Sequence, residues 1–122
     1  MKRPVLALAA LISSAALSQG AELWEWILRP AETRYAIYGG DLSEMHAPTR
    51  NDVHVAFYVR GRAAKDMFNA MDPDRKSECG IEDGARVRQK ENVACRYRPS
   101  DGYECDFGFD LRSGKSIGGS IC

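Results

Sequence analysis

The side chains best suited to chemistry are few and scattered. His46 and His54 lie eight residues apart, with Asp41, Glu44 and Asp52 around them. Imidazoles and carboxylates together could hold a metal ion, but a proline-interrupted loop between them matches no common zinc spacing. Ser43 beside His46 is the only local nucleophile–base pair, and no strained Gly-x-Ser-x-Gly turn surrounds it. Glu104 and Asp106 could form an acid–base pair for sugar hydrolysis. Gly114-Lys115-Ser116 resembles the end of a phosphate-binding loop. The glycine that loop needs five positions earlier is Phe109, so the segment reads as a tight turn. No catalytic set emerges, and neither a metal nor an organic cofactor is expected.

The four cysteines, Cys79, Cys95, Cys105 and Cys122, all lie in the C-terminal half and have no Cys-x-x-Cys spacing. Redox chemistry of the thioredoxin type is therefore not indicated. An even count in a small exported chain reads as two disulfides.

Export is read from the N-terminus. Lys2 and Arg3 precede an apolar run from Val5 to Leu17, and small or polar residues follow. That layout is a secretory signal over residues 1–20, cut after Ser18 or Gly20, and the run is short for a membrane span. Residues 21–122 then form a single domain, periplasmic or secreted. The whole chain balances 17 basic against 17 acidic side chains, and removal of Lys2 and Arg3 leaves about −2. Such a balance argues against a polybasic nucleic-acid binder. Arg86, Arg88, Lys90, Arg96 and Arg98, with Tyr97 among them, read as a solvated, salt-bridged sheet face.

The elements that must position these residues follow from periodicity. Leu23–Leu28 alternates as a strand, with Trp24, Trp26 and Leu28 on one face expected to enter the core. Arg34–Tyr38 is a short strand stopped by Gly39-Gly40, and residues 41–52 form a polar loop with one helical turn near Leu42. Val53–Val59 is a strand with Val53, Val55, Phe57 and Val59 on one face. A helix over about 62–71 follows, because Ala64, Met67, Phe68 and Met71 make one apolar stripe, and Asp72-Pro73 closes it. Ala85–Gln89, Val93–Tyr97, Tyr103–Leu111 and Ser116–Ile121 complete the strands.

Glycine-ended loops at Ser100-Asp101-Gly102 and Arg112-Ser113-Gly114 set an expected register. Cys95 then faces Phe107, Arg96 faces Asp106, and Arg98 faces Glu104. Phe109 faces Ile117 and Phe107 faces Gly119, so Ile117 and Ile121 join the phenylalanine face. A four-residue loop starting at Pro99 is the competing choice, and it flips the faces unless a bulge intervenes. The favoured register pairs Cys79 with Cys95 and Cys105 with Cys122. The fold class is α+β: a small twisted, mainly antiparallel sheet with one packed helix and two disulfides.

Without a credible catalytic set, the leading functional expectation is a non-catalytic binding or inhibitory protein acting on another envelope or extracellular protein. Contacts are expected at Tyr38, Met45, His46 and Tyr58, in and beside the long polar loop. A small hydrolase with a dispersed His/carboxylate site, or a structural subunit of an envelope assembly, is the alternative. A concave pocket where a histidine meets a carboxylate would favour the enzyme, and an exposed apolar patch without a cleft would favour binding or assembly. Export makes a direct prediction: N-terminal sequencing of the recovered protein should find a start between Gln19 and Glu22.

Overall fold

The computed structural model describes Met1 and residues 24–76 and 84–121. Among the described residues, seven strands and one helix follow in the order β1 (Glu32–Asp41), β2 (Glu44–His46), β3 (His54–Arg60), α1 (Gly61–Asn69), β4 (Arg86–Lys90), β5 (Val93–Arg98), β6 (Gly102–Asp110) and β7 (Ser116–Ile117). All strand pairs are antiparallel, in the order β2-β1-β3-β6-β5-β4, with β7 on β6 beyond the end of β5. The fold is α+β with an antiparallel sheet and one helix. Among the described residues, no helix is long and apolar enough to cross a membrane.

The apolar stripe of α1 seats on one end of the sheet. Ala64, Phe68 and Met71 pack with Val59, Cys95 and Cys105 in the core cluster. Arg88 stacks its guanidinium 4.3 Å above the Phe68 ring and donates to the Phe68 carbonyl at 2.8 Å. Asp74 clamps Arg86 and Arg88 together at 2.7 Å each, and their hydrogen bonds hold its carboxyl down at about 2. Two arginines on the outermost strand thus close the helix end of the core.

The hairpins shift the expected register. The Asp101 N–H donates to the Arg98 carbonyl, closing a turn with Pro99 at its second position, where proline's fixed φ is favoured. Gly102 follows at φ 77°. The strands now pair Cys95 with Cys105, two residues from the expected Cys95–Phe107 pairing, and the faces are preserved. Cys95 and Cys105 form a disulfide with their Cα atoms 4.0 Å apart. This overturns both expected cysteine pairings. Cys79 and Cys122 lie outside the described residues. Arg96 now sits opposite Glu104, yet its side chain reaches diagonally to Asp106 at 2.5 Å, while Glu104 pairs with Arg60 at 3.2 Å. Arg98 faces Gly102 instead of Glu104.

The next turn slips by one residue, with larger consequences. Oδ1 of Asp110 accepts the N–H groups of Arg112 and Ser113, which stabilises a loop running from Leu111 to Gly114. Gly108 then pairs with Ile117 and Phe109 with Ser116, so Ile117 moves to the face opposite the phenylalanines. The expected last strand stops at Ile117. Residues 118–121 cross the face away from the helix, where Gly119 packs against Phe107 so closely that a Cβ would lie 2.7 Å from its nitrogen. Ser120 takes a hydrogen bond from Arg96 and donates one to Asp106, which is buried to 2% exposure instead of standing on an outer surface.

The N-terminal expectation also fails. Residues 24–31 form no strand, and Trp24, Trp26 and Leu28 are 81%, 77% and 82% exposed instead of buried. The chain runs into β1 without a turn, so no strand lies beside this segment and α1 already fills the core. β1 in turn continues through Gly39-Gly40, and residues 41–44 make a hairpin turn, not a helical one. Phe68, with no exposed surface, is the largest side chain holding α1 to the sheet. Phe68→Ala should cost about 3–5 kcal/mol in urea unfolding, with the loss of its packing and of the arginine stacking above it.

Candidate functional site

Both histidines converge where the tip of β1, the start of β3 and the end of β6 meet. The register that pairs β1 with β3 and β3 with β6 sets Tyr38, His54 and Asp110 side by side. The rings of Tyr38 and His54 lie 5.3 Å apart. His54 directs Nδ1 at Asp52 and Nε2 at Asp110, each at 3.6 Å. The far side of Asp52 faces Nε2 of His46 at 3.3 Å, and the same carboxylate accepts the Gly40 N–H at 2.9 Å. The result is an alternating row, His46–Asp52–His54–Asp110.

Local backbone explains how His46 reaches this row. The β2 hairpin folds back over Gly39, and a Cβ there would lie 2.6 Å from the His46 ring. Glycine is needed at this position so that the imidazole can lie across the strand. His46 also directs Nδ1 to the Ala47 carbonyl at 2.8 Å. Asp41 holds the turn through the Ser43 hydroxyl and the N–H groups of Ser43 and Glu44.

Next to His54 opens a cavity of about 320 Å³, lined by Tyr38, Leu42, Ile117 and Ile121 among others. A histidine therefore meets two carboxylates beside a concavity, the feature that would favour a hydrolase. At 3.6 Å neither aspartate is within hydrogen-bond distance of His54, and its buried Nδ1 has no hydrogen-bond partner. Ser43 is engaged with Asp41. Hydrogen bonds from Ser43 hold the Asp41 carboxyl below the usual range, and those from Ser113 and Arg112 do the same for Asp110. Burial pushes the hydroxyls of Tyr38 and Tyr58 up, with neighbouring Tyr58 and Asp106 adding to the respective shifts. Among the described residues, no three of His, Cys, Asp and Glu are grouped to hold a metal ion.

Of the expected contact residues, Tyr38 is 5% exposed, and the Tyr58 hydroxyl donates to the Gly119 carbonyl at 2.9 Å. Met45 and His46 stand exposed on the hairpin. The sequence brings His46, His54 and Asp52 to attention but not Asp110, whose place depends on pairing strands fifty-six residues apart.

A second feature lies on the helix side of the sheet. Beyond α1, the rings of Tyr35, Phe57, Phe107 and Phe109 form a chain across three strands, with successive centroids 6.4, 5.5 and 6.2 Å apart. Tyr35 is 67% exposed, Ile37 43% and Phe109 37%. No sequence signal marks this row as open, because period-two alternation shows only that these residues share a face.

The chain matches no protein-family model, and neither curated proteins nor solved structures provide a match. Asp52 carries the tie between the hairpin and the sheet. Asp52→Ala should cost about 1–3 kcal/mol, and hydrogen exchange should quicken at the Gly40 amide while β5 and β6 stay protected.

Proposed function

We propose that this is an exported, non-catalytic protein that binds or inhibits another protein of the envelope or extracellular space. The supporting observation is the open aromatic row, Tyr35–Phe57–Phe107–Phe109 with Ile37, which α1 leaves uncovered. Contiguous apolar surface of this kind suits an apolar segment of a partner protein. From Ile37 the surface continues along β1 to Gly39, opposite which stands His46 with Met45 beside it. Met45 and His46 are the outer contacts in this reading. Nucleic acid is not the expected partner, because Arg86, Arg88 and Arg96 of β4 and β5 are all held by carboxylates.

The export reading includes a second disulfide. With Cys95 bonded to Cys105, elimination leaves Cys79 for Cys122. A non-reducing peptide map should yield one Cys95–Cys105 peptide and one Cys79–Cys122 peptide, and free thiols at positions 79 and 122 would refute the second bond.

The function is tested by capturing partners from envelope extract with the tagged protein. Phe109→Lys, checked for intact folding by circular dichroism, should abolish capture, and paired Met45→Ala and His46→Ala should weaken it. Undiminished capture by Phe109→Lys would remove the aromatic row from the interface. A hydrolytic activity lost in His54→Ala would replace the binding reading with the enzymatic one.

A further inference from the structure

One edge of the sheet is guarded and the other is open. β4 carries Arg86, Arg88 and Lys90, and its Val87 carbonyl accepts the Arg75 N–H. β1 has β3 on one side from Glu32 to Tyr38, whereas β2 covers its other side only from Gly39 to Asp41. The direction of the backbone groups follows from one hydrogen bond. Leu111 donates to the Val53 carbonyl, so odd-numbered residues of β3 face β6 and even-numbered ones face β1. Carried through the β1–β3 register, this turns the even residues of β1 toward β3. Thr33, Tyr35 and Ile37 then direct their N–H and C=O groups to the open edge, a template for another strand.

The same chain holds an unpaired, apolar-rich segment before β1. Residues 24–31 enter β1 without turn or bend, so the segment leads away from its own edge. In an extended conformation Trp24, Trp26 and Leu28 would lie on one side and Ile27 on the other, and all four are exposed. Pro30 occupies an even position, where a missing N–H deprives the open edge of nothing.

We propose that residues 24–31 of one copy add to the open β1 edge of a second copy, reciprocally, about a two-fold axis at Ala31. In an isologous antiparallel pair only the residue on the axis meets its own counterpart, and every other residue meets the one equally far beyond the axis on the partner. Arg29 then pairs with the partner's Thr33, Ile27 with the partner's Tyr35, and Glu25 with the partner's Ile37. The run ends there because β2 covers the next position. Trp26 falls opposite the partner's Ala36. Ala36 is part of a cavity of about 290 Å³ beside the edge, with Arg34, Tyr58, Arg60 and Glu104 around it. A small side chain leaves room for the indole, and two guanidinium groups and a phenol ring offer it stacking partners. This association is independent of the hetero-partner reading above, and purified protein alone tests it.

Sedimentation of the purified exported chain over a concentration series should show a dimer. Trp24 and Trp26 are the only tryptophans in the chain, so their emission should shift to the blue as the dimer forms. Ile27→Pro removes an N–H from an odd position and should weaken the dimer at least about tenfold more than Leu28→Pro, whose lost N–H points away from the partner. Both substitutions lie outside the strands and helix, so circular dichroism should stay unchanged. A monomer at every concentration, with tryptophan emission either red or already blue, would overturn the proposal. So would equal effects of the two prolines.

Discussion

One short helix has to cover a wide sheet, and it cannot. Nine residues of α-helix extend about 14 Å, whereas six hydrogen-bonded strands span about 24 Å. α1 therefore closes only the end where Val59, Cys95 and Cys105 meet Phe68. Arg86 and Arg88 finish that end from β4 by stacking on Phe68, with Asp74 neutralising them. Toward β1 nothing plays that part, and the aromatic row and the strand edge stay open. The Cys95–Cys105 bond reinforces the covered end, contributing about 2–3 kcal/mol by restricting the unfolded chain.

The opposite face is closed by chain instead of by helix. Residues 118–121 lie across it, and the Arg96–Asp106 pair beneath is completed by Ser120. Removing one partner of such a buried pair costs far more than an exposed bridge contributes, because the other charge is left uncompensated. Ile117 and Ile121, displaced from the phenylalanine face, line the cavity beside His54. The histidine row next to that cavity is an electrostatic tie. It joins the β2 hairpin, β3 and the end of β6 through two aspartates.

The hairpins show how much a single residue decides. Gly102 and Gly114 both adopt the positive φ that their turns demand, as their residue type implies. What differs is where each loop begins. Pro99 draws the first turn one residue earlier, and the Asp110 side chain draws Leu111 into the second. The first change moves the register by two and leaves the faces intact, which is why the Arg96–Asp106 attraction survives as a diagonal contact. The second moves it by one and turns Ile117 over. That turn decides both what lines the cavity and what leaves the aromatic row bare.

By itself the sequence determined the α+β class, the seat of α1 through Ala64, Met67, Phe68 and Met71, and the face sharing of β3 and β6, because these depend on local periodicity. It also determined that the glycines at 102 and 114 would end their turns. Only the tertiary structure decided the disulfide, the burial of Asp106, the exposure of Trp24 and Trp26, and the meeting of His54 with Asp110. Each of these depends on which strand lies beside which and in what register. That choice is made by turn hydrogen bonds and by the limited reach of one helix, quantities that no window of neighbouring residues contains.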